Sequence, residues 1–231
     1  MDPLEERIKQ VRGKIEKAAK RAGRNAEEIT LVAVTKTVPD EAIARAAGYG
    51  IEHMGENRVQ ELLQKIVYNN VIKWHFIGHL QTNKVKYIIG KVFLIHSLDR
   101  LELAEEIQDR SNKAGLVTPV LIQVNIAGEK TKSGICEASV LGLAEAVSQM
   151  PNISLQGLMT IPPWCEDPEE ARAYFRRLRE IRDEIAARKL KNADMKHLSM
   201  GMSGDFETAI EEGATIVRIG TAIFGSRSSK A

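Results

Sequence analysis

Cysteine is scarce in this sequence. Cys136 and Cys165 are the only two, far apart and forming no CxxC, so neither a disulfide framework nor a zinc site is indicated. Two free thiols in a reducing cytosol is the simpler reading. An excess of one charge is missing as well: 33 basic and 31 acidic residues leave a formal charge of +2. That is too little to argue for nucleic acid or an anionic membrane as a partner. No apolar stretch approaches the length of a membrane span. The opening MDPLEERIKQ is charged at once and lacks an apolar core, so no signal peptide is expected and the chain reads as soluble and cytoplasmic. Linkers, low-complexity segments and repeats are lacking, and residues 1–231 read as a single domain, large enough to bury its core without staples. A GxGxxG after the first strand is also absent; that turn is TKTVPD, which argues against a doubly wound dinucleotide-binding sheet.

What the chain does have is alternation. Leu4, Ile8, Val11, Ile15 and Ala18 recur at helical spacing, and Gly23 follows where a C-cap falls, so residues 4–19 predict an amphipathic helix. Eight strand-like runs come next, at 29–37, 51–54, 73–78, 91–97, 119–126, 153–161, 195–201 and 214–220. Each of the first seven leads into a helical run, opening at Pro39, Glu56, Gln81, Asp99, Glu137, Pro168 and Asp205. Between the fifth strand and its helix lies the loop GEKTKSG. Strict β/α alternation implies a parallel sheet, and eight units close a barrel. The expected fold is therefore a (β/α)8 TIM barrel with an extra N-terminal helix. The charge run of the longest helix, 168–189, reads as a solvated face with i,i+4 pairs.

In such barrels the chemistry sits where the strands end. The first strand, ITLVAVTKT, is a β-branched apolar run closed by Lys36. At the rim of an apolar core desolvation favours the neutral, nucleophilic amine, although the side chain can instead snorkel and stay wet. The loops after strands seven and eight, where barrels frequently hold a phosphate, read GMSGD and RIGTAIFG. Ser203 and the glycines around it offer a hydroxyl and amides beside a helix start, or an ordinary N-cap; Gly220 and Thr221 offer two more amides and a hydroxyl. Arg218 lies inside the apolar strand ATIVRIG, so it either pairs with a rim acid such as Glu56 or faces a ligand. An amine, a phosphate cradle and a fixed cationic donor together match pyridoxal 5′-phosphate. An arginine donor would keep the ring nitrogen unprotonated and limit the carbanion chemistry available.

These motifs, in order, resemble the pyridoxal-phosphate homeostasis proteins, single-barrel relatives of alanine racemase (fold type III). The resemblance spans LVAVTK (31–36), GENRVQE (55–61), WHFIGHLQTNK (74–84), QVNIAGEKTKSG (123–134), GLMTI (157–161), LSMGMSGD (198–205) and VRIGTAIFG (217–225). It implies that Lys36 carries the cofactor as an internal aldimine and that Arg218 faces the ring nitrogen. It further implies that Ser203 and the backbone of Met202, Gly220 and Thr221 hold the phosphate, with Ser199 a weaker candidate and Asn57 near the ring. Lys132 resembles a secondary or transfer lysine. His79 is given no role, and His53, His75, His96 and His197 read as satisfied rim or core histidines.

Alanine racemases add a C-terminal β-domain that completes the site across a dimer and supplies a tyrosine base. Here the sequence ends about ten residues after VRIG, and tyrosines 49, 68, 87 and 174 fall in or beside helical stretches. The resemblance therefore implies a monomer that stores pyridoxal phosphate, or delivers it to apo-enzymes, without robust catalysis. A weak racemase using Lys36 as its base is the alternative. A Schiff-base aldolase acting on a phosphorylated sugar is a third reading, disfavoured by Arg218.

Overall fold

The computed structural model describes residues 2–66, 71–129 and 133–225. Helix α1 (Pro3–Arg21) opens on Asp2, whose side chain accepts the Leu4 amide at 2.9 Å. Strand β1 (Thr30–Val34) and α2 (Asp40–Gly48) follow, then β2 (His53–Glu56), α3 (Val59–Lys65), β3 (Lys73–Phe76), β4 (Leu94–Leu98) and α4 (Leu101–Ala114). The chain continues with β5 (Thr118–Asn125), β6 (Ile135–Cys136), α5 (Glu137–Ser148), β7 (Ile153–Met159) and α6 (Arg172–Ala187). It ends with β8 (Ala193–Ser199), α7 (Phe206–Glu211), β9 (Ile216–Ile219) and α8 (Thr221–Phe224). Every strand pairing is parallel, and the order β1-β2-β3-β4-β5-β7-β8-β9 returns to β1, closing an eight-stranded barrel. The short β6 lies outside that ring, paired only with the end of β5.

The two faces of the closed sheet can be read from alternation. Val32, Leu94, Leu121, Met159 and Ile216 form one buried cluster, while their neighbours Ala33, Ile95, Ile122, Leu158 and Val217 belong to a second and much larger one. The first fills the barrel interior; the second packs the sheet against the helices. α1 covers the outside by packing its Leu4–Ile8–Val11–Ile15 stripe on the α7 and α8 side.

Several expectations need correction. The run 81–90 forms only a short 3₁₀ segment, Thr82–Tyr87, because no side chain caps its start and Gly90 turns the chain at φ +74°. The second strand lies two residues later than its apolar pattern indicates, so Glu56 ends inside the sheet and is fully buried. The charges of α6 are also more than a solvated face. Arg172, Arg176 and Arg179 converge on the buried Glu212 at 3.3, 3.0 and 3.1 Å, tying α6 to the end of α7.

Candidate cofactor site

Lys36 lies two residues beyond β1, and the backbone on either side of it is clamped. The carbonyl of Thr35 accepts from Lys65 Nζ at 2.7 Å, and the Thr35 hydroxyl donates to Glu56 Oε1 at 2.6 Å. Lys65 also donates to that same Oε1 at 2.6 Å, closing a buried triangle. On the other side, the Thr37 amide donates to Glu61 at 3.2 Å, and Thr37 takes a left-handed φ of +61°. A β-branched residue rarely adopts that conformation, and such strain persists only where its surroundings enforce it. Glu56, Glu61 and Lys65 supply that enforcement and fix where the Lys36 side chain leaves the barrel. None of the three was singled out from the sequence as a support for Lys36; Glu56 was considered only as a partner for Arg218.

A cavity of about 940 Å³ opens at the C-terminal mouth of the barrel, and its walls include Lys36, Met202, Ser203, Arg218, Gly220 and Thr221. Arg218 projects from β9 and is almost fully buried. Its guanidinium donates to Ser199 Oγ at 2.6 Å and to the Thr160 carbonyl at 2.9 Å, with no carboxylate in ion-pair range among the described residues. The expected alternative pairing with Glu56 is excluded, since Lys65 occupies that acid. Burial lowers the Arg218 pKa to about 10, which leaves it charged at neutral pH.

The two glycine-containing loops meet through Ser203. Its hydroxyl accepts from the Ala222 amide at 3.2 Å and lies 3.4 Å from the Thr221 hydroxyl. It is not the N-cap of α7, a position taken by Asp205. Gly201 sits at φ +91°, and a Cβ there would come within 2.7 Å of Ala209 and 2.9 Å of Phe206, so only glycine lets this loop fold down. The lip of the cavity is formed by Pro162, Pro163 and Trp164, the last 84% exposed.

Not every predicted site residue reaches this cavity. Ser199 is fully buried beneath it, its hydroxyl taken up by Arg218 and by His96 at 2.8 Å. The Met202 amide donates to Asp205 Oδ1 at 2.5 Å. Asn57 is outside the cavity wall, with its Oδ1 buried and lacking a partner among the described residues. Lys132 and Tyr68 lie outside the described residues. Tyr49, Tyr87 and Tyr174 do not line the cavity.

The sequence profile of the alanine racemase N-terminal domain matches residues 8–228. Over 224 residues, covering 96% of this chain and 97% of the relative, the sequence is 53% identical to the pyridoxal phosphate homeostasis protein of Aquifex aeolicus. The chain belongs to the pyridoxal-phosphate homeostasis protein family. A second family member, from Escherichia coli K12, is 43% identical over 98% of each chain. Among solved structures, PipY of Synechococcus elongatus with pyridoxal phosphate bound superposes with a TM-score of 0.80 at 32% identity, covering 92% of this chain and all of PipY. Alanine racemase of Corynebacterium glutamicum, at 16% identity and a TM-score of 0.73, shares the barrel fold with the family.

Proposed function

We propose that this chain binds pyridoxal 5′-phosphate through Lys36 and acts in its homeostasis, storing or delivering the cofactor without robust catalysis. The observation that carries the reading is the convergence of Lys36, Arg218, Ser203 and the Gly220–Thr221 turn on one cavity. Pyridoxal phosphate brings an aldehyde that condenses with an amine, a ring nitrogen that accepts a hydrogen bond and a phosphate. The residues present fit each part. Lys36 supplies the amine on a clamped backbone, and Arg218 supplies a donor without a carboxylate partner among the described residues. Ser203 and the start of α8 supply a hydroxyl and amides where Gly201 lets the loops close together. Names carried by relatives and the cofactor in PipY support the same reading.

The tyrosine base that the resemblance to alanine racemases implies for racemisation has no counterpart at the cavity among the described tyrosines, although Cys165 and Asp205 line its wall. The apolar, partly exposed lip at Trp164 suits a holder whose cargo must leave again.

The decisive test is reduction of the yellow protein with borohydride, followed by mass mapping: the label belongs on Lys36, and a label elsewhere with Lys36 unmodified refutes the proposal. Arg218→Ala weakens cofactor binding by about tenfold or more, as expected for a charge-assisted donor. Incubation with L-alanine in deuterated water leaves the α-proton in place; rapid exchange would instead establish the racemase reading.

A further inference from the structure

Three imidazoles that the cofactor reading does not use run through the middle of the barrel. His53 opens β2 at the N-terminal mouth, half-buried against the edge of Phe93 at 5.5 Å between ring centroids. Its Nδ1 lies 2.8 Å from Nε2 of His75. His75 Nδ1 lies 2.7 Å from Nε2 of His96, and His96 Nδ1 lies 2.8 Å from the Ser199 hydroxyl. Ser199 in turn accepts from Arg218 at 2.6 Å. Register accounts for the line: Val32 pairs with His53, Gly55 with His75 and His75 with Leu94, so these side chains share the interior face.

Each link joins Nδ1 of one ring to Nε2 of the next, and that repetition gives the line a direction. A neutral imidazole has one donor and one acceptor nitrogen, whereas a guanidinium only donates. The Ser199 oxygen is therefore an acceptor from Arg218. Its remaining hydrogen-bond neighbour among the described residues is His96 Nδ1, so the hydroxyl proton goes there. His96 must then carry its own proton on Nε2 and give it to His75, and His75 must do the same towards His53. The opposite sense would aim two donors at Ser199 and leave its hydroxyl proton without an acceptor in a fully buried site. Burial pushes His75 down to about 3 and His96 well below its ordinary value, so both rings are neutral, as such a chain requires.

We propose that His53, His75, His96 and Ser199 form one polarised hydrogen-bond chain that holds the Arg218 guanidinium from within the barrel, where no carboxylate among the described residues reaches ion-pair distance. Asp205 acts on it only from further off. These are positioning residues: they keep Arg218 aimed at the cavity as a fixed donor. What Arg218 meets there, a pyridine-type ring nitrogen, rests on the pyridoxal-phosphate reading; the chain itself does not.

The test is nitrogen-15 NMR of the ligand-free full chain, labelled on histidine, near neutral pH. All three rings should be Nε2–H tautomers; an Nδ1–H on His96, or a charged imidazolium at His75 or His96, overturns the proposal. In Ser199→Ala the His96 ring loses the donor to its Nδ1, so its tautomer population should shift, and pyridoxal phosphate affinity should fall about tenfold. An unchanged tautomer and unchanged affinity in that variant also overturn the proposal. Should Ser199→Ala not fold, His53→Gln at the half-exposed end is expected to move the His75 Nε2 signal and leave His96 as it was; an unmoved His75 signal counts against the chain. Expected tautomers in a protein that fails to bind pyridoxal phosphate would sink the functional reading alone. Reversed tautomers with intact binding would sink the chain alone.

Discussion

Lys65 shows how much one side chain can carry when it is out of water. Its ammonium holds the Thr35 carbonyl and Glu56 together one residue before the proposed cofactor lysine. Lys65→Met strands a buried carboxylate, and loss of one partner from a buried pair costs about 3–5 kcal/mol; chemical denaturation should register that loss, and a change under 1 kcal/mol would contradict the clamp. The imidazoles set a pH dependence. His75 is neutral in the fold with a pKa near 3, but takes up a proton near its ordinary 6.5 once unfolded. Stability therefore falls as pH drops from 6.5 towards 3, by up to about 1.4 kcal/mol per pH unit for each such ring. Melting temperatures between pH 7 and 4 should show this slope, reduced in His75→Gln; equal slopes in both proteins would argue against it. At this scale the convergence of Lys36, Arg218 and Ser203 on one cavity was legible, because each sits at a strand end or a glycine turn. Lys65 was not, because its helix starts three residues later than the polar pattern suggests, and no one-dimensional pattern shows which way so short a helix turns its lysine.

Strand β7 is where backbone geometry is least forgiving. Gly157 adopts φ +145°, and a Cβ there would lie 1.9 Å from the His197 carbonyl oxygen of β8, at a shift in the β7–β8 register. Neither backbone can yield without breaking the pairing, so Gly157→Ala should destabilise the fold by about 3 kcal/mol or more. A melting temperature within a degree or two of the parent would refute that. The elements themselves were largely readable: all eight barrel strands and the leading helix fall where the apolar periodicity indicates, within a few residues. The exceptions have local causes. The 3₁₀ segment at 82–87 lacks a capping side chain, and the two-residue β6 gains its strand character only from the neighbouring end of β5. Tertiary pairing of that kind leaves no periodic trace in the chain.

The whole barrel has two unlike ends joined by an interior in which a polar line runs beside apolar packing. The C-terminal mouth bears the cavity; the N-terminal mouth bears His53 under Phe93; five apolar side chains from five strands fill the space beside the imidazole line. Periodicity can assign a side chain to the inside of a closed sheet, but it cannot say that three inward histidines touch, since that depends on stagger between strands. The molecule's two tryptophans divide along the same lines: Trp74 is buried in β3, whereas Trp164 stands on the cavity lip. The lip residue is thus a native fluorophore beside a compartment proposed to hold a near-ultraviolet chromophore. Loading should dim its emission in proportion to occupancy, and Trp164→Phe should remove most of that response while leaving uptake intact. An undimmed signal on full loading would place the chromophore elsewhere. With such an optical gauge, release to an acceptor could be followed continuously, without separating the two proteins.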